Sequence, residues 1–129
     1  MTVADTHVVL WLTQDQSQLS PAAISELSGA RRQGSLAIAD ITLREIAVQI
    51  ARGRVAISSP AGVYLRFVET LFSVVPINAQ IAERSAQFDA NFPKDPADRL
   101  IAATALVYGA RLVTKDKEIR ESGEITCIW

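Results

Sequence analysis

Short apolar runs alternate along this chain with longer segments in which apolar residues recur every three or four positions. The first pattern is typical of buried strands and the second of helices that bury one face. Strands are predicted over 2–5, 36–39, 73–76, 111–114 and 125–129, and helices over 6–12, 21–34, 42–53, 61–72, 78–88 and 96–108. Because helices separate the strands at roughly 30-residue spacing, we predict an α/β fold, a three-layer α/β/α sandwich with a mainly parallel central sheet.

Local capping signals set several of these boundaries. Asp95 precedes Pro96, so Asp95 is predicted to be the N-cap of the helix that ends at Gly109. Thr42 is followed three residues later by Glu45, which is the spacing of a capping box and predicts a helix start at Thr42. The short β-prone segment 111–114 is followed by the charged residues Lys115, Asp116 and Lys117, so the strand that contains this segment is predicted to end at Asp116.

Length and composition indicate one domain over residues 1–129. The chain has 49% hydrophobic residues, which is enough apolar material for a core. Its single cysteine, Cys127, excludes an internal disulfide bond and fits a reducing compartment. The first residues lack a basic segment followed by an apolar one, and no apolar run reaches the roughly 18 residues of a membrane span. We therefore expect a cytoplasmic protein with no membrane partner.

The charge balance argues against polyanion binding through a wholly basic surface, since the formal net charge is −1. The total conceals a possible separation of charge, however. If four of the 14 acidic residues surround a cation, ten remain against 13 Lys and Arg, a surplus of three positive charges. A nucleic acid therefore remains a possible partner, bound by basic residues around an acidic centre.

Four carboxylates are predicted to meet at one edge of the sheet. Asp5 and Asp116 follow predicted strands, and Glu45 and Asp98 lie in the first turns of helices that begin at the same edge, where sites in parallel sheets are found. Each alone would suit a helix cap or a helix dipole. Together they would repel one another unless cations neutralised them. Oxygen ligands of this kind suit Mg²⁺ or Mn²⁺, whereas one His and one Cys do not favour a zinc site.

Four segments in order carry a family likeness. They are Asp5-Thr6-His7 with Trp11-Leu12, Thr42-Leu43-Arg44-Glu45-Ile46, Asp95-Pro96-Ala97-Asp98-Arg99-Leu100-Ile101-Ala102, and Leu112-Val113-Thr114-Lys115-Asp116. Taken together, they resemble the motifs of PIN-domain proteins, with the closest likeness to VapC-type toxins of bacterial type II toxin–antitoxin pairs. The resemblance spans the whole chain.

The resemblance implies a Mg²⁺-dependent endoribonuclease, with Mn²⁺ as an alternative cation. Asp5, Glu45, Asp98 and Asp116 would form an acidic pocket that holds one or two metal ions. The ions would activate water to attack an RNA phosphodiester bond, leaving a 5′-phosphate and a 3′-hydroxyl. The resemblance also implies a homodimer whose hydrophobic groove binds a cognate antitoxin, and the region 46–72 is our candidate for that groove.

Other residues are assigned supporting roles. Thr6 and Thr114 are expected to bind a metal-bound water or orient a carboxylate, although each also fits a plain structural role. Asp95 is expected to cap its helix or support the ligands. His7 invites a general-base role, but a lone histidine on an apolar helix favours packing or exposure. The candidate phosphate contacts are Arg44, Arg52, Lys94, Arg99, Lys115 and Lys117, each of which is otherwise a solvated surface residue.

Two other functions compete with the nuclease. One is a PIN-like binding module with an inactive pocket, which the presence of all four acids argues against. The other is a phosphotransfer or phosphatase domain, such as a receiver domain, which requires paired acids after the first strand and a phosphoacceptor after the third. Here Asp5 alone follows the first strand, and the third ends at Val75-Pro76.

Overall fold

The computed structural model describes all 129 residues, and its centre is a five-stranded sheet. The strands are β1 (Thr2–Ala4), β2 (Leu36–Ala39), β3 (Ser73–Val75), β4 (Arg111–Val113) and β5 (Cys127–Ile128). Their order is β3-β2-β1-β4-β5, and every neighbouring pair is parallel. The predicted mainly parallel sheet is confirmed, and the observed sheet is parallel throughout.

Helices cover both faces of the sheet. They are α1 (Thr6–Gln14), α2 (Pro21–Arg32), α3 (Asp40–Ala51), α4 (Ala61–Leu71), α5 (Ala79–Ser85), α6 (Pro96–Val107) and α7 (Lys117–Glu121), with a short 3₁₀ turn over Gln16–Gln18. None of the seven helices combines the length and hydrophobicity that a membrane crossing requires.

Alternate strand residues enter two separate cores. Val3 and Leu112 pack in the core beneath α5, α6 and α7, while the next residues, Ala4 and Val113, pack in the core beneath α1 to α4. All four are fully buried. Burial on both faces explains why these strands are continuous apolar runs and not alternating ones. The α/β/α sandwich is thus confirmed.

The predicted start of α3 is wrong. This helix begins at Asp40, directly after β2, with Ala39 at the N-cap and no side-chain capping bond. Thr42 is fully buried inside the helix, where its hydroxyl oxygen lies 3.3 Å from that of Thr6 on α1. Since this contact takes up the Thr42 side chain, no capping box forms, and Glu45 lies in the second turn of the helix.

Other boundaries also differ from the prediction, most of them by one or two residues. The strand β4 ends at Val113 and so does not extend to the predicted end at 116. The helix α5 ends at Ser85, and Phe88 lies in the following loop, although it is still buried. The last strand is limited to Cys127–Ile128 within the predicted 125–129, because only this pair aligns with β4.

Candidate active site

Five carboxylates lie where strands end and helices begin at one edge of the sheet. Asp5 follows β1 and caps α1, and Asp116 follows β4 and caps α7. Asp95 caps α6, Asp98 lies in the first turn of α6, and Glu45 lies in α3. The parallel topology determines this arrangement, because each helix returns the chain to the same edge of the sheet.

Asp5 is the most firmly held of the five. Its side chain is buried, and the residue is only 3% exposed. Oδ1 accepts a hydrogen bond from the backbone N–H of Thr6 at 2.8 Å, and Oδ2 accepts one from the hydroxyl of the fully buried Thr114 at 2.7 Å. Both oxygens therefore have fixed positions, and Thr114 orients a carboxylate.

The same Thr114 hydroxyl links Asp5 to Asp116. While it donates to Asp5, its oxygen accepts a hydrogen bond from the backbone N–H of Asp116 at 3.0 Å. Asp116 in turn accepts from the backbone N–H of Ile119 through Oδ1, also at 3.0 Å. This bond makes Asp116 the N-cap of α7, on the same edge as Asp5.

Thr6 holds the carboxylate of Glu45. The Thr6 hydroxyl donates to Glu45 Oε1 at 2.5 Å, which joins α1 to α3. Burial raises the pKa of Glu45, the bond from Thr6 opposes this, and the charges of Asp5 and Asp95 add to the increase. Glu45 is therefore held in an environment where its negative charge is costly.

Asp98 is the most strongly perturbed carboxyl group at this edge. Burial raises its pKa to about 7, and further contributions come, in order, from Asp5, Asp95, Glu45 and Asp116. Because four carboxylates act on a fifth, all of them lie within electrostatic range of Asp98. No Lys or Arg side chain forms an ion pair with any of the five, so the edge concentrates negative charge, a pattern found at functional sites.

Carboxylates can influence one another's pKa over distances longer than a metal–ligand bond, so a shared electrostatic effect does not by itself make a metal site. No group of three potential ligands lies close enough together to hold one metal ion as the side chains stand. Mg²⁺, however, commonly binds through one or two carboxylates and keeps several of its waters. The oxygen-only donor set, with its surplus of negative charge, therefore fits a hard divalent cation that is held partly through water.

His7 packs against the site without an available ring nitrogen. Its Nε2 accepts a hydrogen bond from the backbone N–H of Lys115 at 3.0 Å, and its Nδ1 lies 3.7 Å from Asp5 Oδ2. Burial lowers the pKa of His7 more than the neighbouring carboxylates raise it. Because Nε2 accepts a hydrogen bond, Nδ1 carries the proton of the neutral ring, so neither nitrogen is free to act as a general base. The contacts agree with the packed role.

A basic cavity of about 390 Å³ adjoins the carboxylates. Glu45 and Asp95 form part of its wall, and Arg44, Arg52 and Arg54 line it. All three arginines are exposed, and none forms an ion pair. Sequence reasoning missed Arg54, although the run Arg52-Gly53-Arg54 after α3 was a signal of a local basic cluster.

Arg99 has a structural role in place of the predicted phosphate contact. Its guanidinium donates to the backbone carbonyls of Phe88, Asp89, Phe92 and Pro93 at 2.8 to 3.3 Å. These bonds fasten the loop that leads into α6. Lys94 is exposed, and Lys117 is paired with Glu121 on α7 at 3.7 Å.

Comparison with known proteins identifies the family. The PIN domain family model matches residues 2–124. Ribonuclease VapC22 of Mycobacterium tuberculosis is 35% identical over 116 residues, which cover 90% of this chain and 87% of that protein.

Solved structures share the fold at lower identity. VapBC2 from Rickettsia felis, bound to a DNA fragment from its promoter, has a TM-score of 0.73 at 14% identity, covering 98% of this chain and 96% of that one. DNA-bound VapBC from Salmonella typhimurium has a TM-score of 0.70 at 21% identity, covering 98% and 95%. By its fold, its ordered motifs and these matches, the chain belongs to the PIN domain family, within its VapC group.

Proposed function

We propose that this protein is a divalent-cation-dependent endoribonuclease, the toxin of a toxin–antitoxin pair. The observation that supports this most is the meeting of carboxylates from separate elements at one sheet edge, next to a cavity lined by unpaired arginines. The name of the relative from Mycobacterium tuberculosis, a ribonuclease, supports the same activity.

Asp5, Glu45, Asp98 and Asp116 would hold Mg²⁺ or Mn²⁺. When bound, such a cation supplies a water that is acidic enough to attack near neutral pH and stabilises the negative charge that develops on the phosphate. The chain's own contribution is orientation. Thr6 and Thr114 donate to the carboxylates of Glu45 and Asp5 and so keep two of the four acids directed at the edge.

The arginine cavity would bind the RNA backbone. Arg44 lies on α3 and Arg52 is the C-cap of that helix, eight residues later, or about 12 Å along the helix axis. Their charges, with that of Arg54, lie beside Glu45 and Asp95 and attract phosphates toward an edge that would otherwise repel them. Adjacent cationic and acidic surfaces of this kind suit a polyanion that is cut at a cation site.

Replacing Arg44, Arg52 and Arg54 together by glutamine is expected to lower the affinity for RNA and to make that affinity less dependent on salt concentration. On single strands each lost phosphate contact reduces the slope of log affinity against log salt by about 0.7, so the triple variant should lose about 2 from that slope. Binding titrations at several salt concentrations measure it. The matched control is Arg31→Gln with Arg32→Gln, at the C-terminal end of α2. If the triple variant and its parent had equal slopes of log affinity against log salt, the arginine cavity would not be a site of phosphate contact.

Cleavage by the purified protein tests the activity itself. We expect internal cuts in single-stranded RNA with Mg²⁺ or Mn²⁺, none with EDTA, and recovery when the cation is added back. Labelled products should carry a 5′-phosphate. Cleavage that continues undiminished in EDTA would contradict the proposal.

We propose that the antitoxin covers apolar surface on α4. Val63 and Phe67 are each 48% exposed and lie four positions apart, so they are neighbours on one face of α4. Phe67 and Leu71 also border a cavity of about 230 Å³ that reaches Leu12 on α1. This surface lies within the predicted groove region 46–72. The relatives from Rickettsia felis and Salmonella typhimurium were solved as VapBC, which supports a partner of that kind. The homodimer stays a prediction.

A further inference from the structure

A second cavity borders the carboxylate edge and is not needed by the proposed reaction. It is shallow, with a volume of about 370 Å³, and is lined by His7, Trp11, Lys115 and Asp116. Asp116 belongs to the acidic edge, so this cavity and the carboxylates share a wall. The arginine cavity adjoins the carboxylates separately, through Glu45 and Asp95.

The floor of this second cavity is aromatic. The rings of His7 and Trp11 are 4.9 Å apart between centroids, and Trp129 lies 5.9 Å beyond Trp11. Both His7 and Trp11 are only partly buried, and the side chain of His7 is 31% exposed. Packing with the core therefore leaves part of this aromatic surface facing solvent.

Lys115 places a positive charge over that surface. Its Nζ lies 5.5 Å from the centroid of a Trp11 ring, within the range of a cation–π contact. The backbone N–H of Lys115 also donates a hydrogen bond to His7 Nε2 at 3.0 Å. Lys115, at the rim of the cavity, is therefore joined to the aromatic floor. Lys115 is exposed, and its side chain forms no ion pair. An aromatic face beside a free cation is the combination that binds unpaired bases and their phosphates.

We propose that Trp11, with His7 and Lys115 at its rim, is a stacking subsite for a nucleobase of the RNA strand next to the bond that is cut. This inference rests on the proposed ribonuclease function and adds a binding surface to it. A strand crossing the edge would place phosphates against the arginines on one side and an unstacked base on Trp11 on the other. Stacking tolerates every base, so the subsite would strengthen binding with only modest base preference.

The test compares RNA with and without bases. The protein carries Asp98→Asn to prevent cleavage, and the probes are a fluorescent decamer of oligoadenylate and a decamer of abasic ribose phosphate. Trp11→Leu preserves apolar bulk for packing but removes the stacking face. It is expected to weaken oligoadenylate binding by at least about fivefold, the lower end for one stacked base, and to change abasic binding by less than about twofold. Trp11→Phe should retain most of the affinity.

Tyr108→Ala is the matched control, because Tyr108 is also an exposed aromatic residue but lies at the far end of α6. It should change neither affinity. The subsite would be overturned if Trp11→Leu lost affinity equally for both probes or lost affinity for neither. It would also be overturned if the parent bound both probes equally. Failure of the proposed function is recognised separately, by a parent protein without Asp98→Asn that cuts no RNA in Mg²⁺.

Discussion

Asp98→Asn is expected to lower the rate of RNA cleavage by at least about 1000-fold. The substitution preserves the shape of the side chain but removes one negative charge from the centre of the acidic edge. A loss of about 4 kcal/mol of cation binding and transition-state stabilisation corresponds to this factor. Single-turnover cleavage of labelled RNA at saturating protein measures it.

Asp95→Asn is the matched control for this prediction. Asp95 is the neighbouring carboxylate, and its Oδ1 caps α6 by accepting from the backbone N–H of Ala97 at 2.9 Å. Asparagine caps helices equally well, so only the charge changes. We expect this variant to lose less than about tenfold in rate. Cleavage unaffected by Asp98→Asn would reject the site.

The same Asp98→Asn substitution should stabilise the cation-free protein above neutral pH. The pKa of Asp98 is raised from 3.8 to about 7 in the fold, so the folded state binds more protons than the unfolded state between these values. Stability therefore falls as the pH rises from about 4 to about 7, and the penalty remains above pH 7. Because Asp98 is partly exposed, solvent screens its charge, and we expect the substitution to raise the free energy of unfolding at pH 8 by about 1 kcal/mol. This corresponds to an increase of a few degrees in Tm. Parent and variant should melt alike below about pH 4.

Asp5→Asn is expected to abolish growth arrest in bacteria that express this protein without an antitoxin. Asparagine retains an oxygen for the backbone N–H of Thr6, but the buried negative charge beside Thr114 is lost. Growth curves after induction, with protein levels checked by immunoblot, measure the effect. We expect the parent to arrest growth and the variant to grow like cells with an empty vector.

Asp15→Asn provides the control for that experiment. Asp15 is exposed and caps the short turn after α1, where an asparagine would serve equally. It should remain as toxic as the parent. If Asp5→Asn and the parent were equally toxic at equal expression, the toxicity would have a cause other than this acidic edge.

Sequence patterns predicted the parts of this molecule that depend on local chemistry. The strand at Leu36–Ala39 was predicted to the residue because its apolar run is buried on both faces. The Asp95 cap and Pro96 marked the start of α6 for the same local reason. The common location of Asp5 and Asp116 at one edge followed from parallel topology, which leaves few alternatives once strands and helices alternate.

Contacts between distant residues determined the rest. Thr42 was predicted to cap α3, but it lies near Thr6, 36 positions earlier, and the helix begins two residues before it. The bond between Thr114 and Asp5 spans 109 positions, so no local pattern shows which carboxylate that hydroxyl would orient. Arg99 matched a motif, yet its guanidinium is directed at loop carbonyls. Side-chain partners depend on packing, which a single sequence does not encode locally.

Calorimetric titration of Mn²⁺ into the cation-free protein tests the central claim most directly. We expect the parent to bind Mn²⁺ at pH 8, and Asp98→Asn to bind at least about 100-fold more weakly. At pH 6.5 the parent should also release protons when it binds the ion, and more than at pH 8, because Asp98, whose pKa is raised to about 7, must ionise first. Equal affinity of parent and Asp98→Asn for Mn²⁺ would contradict the account.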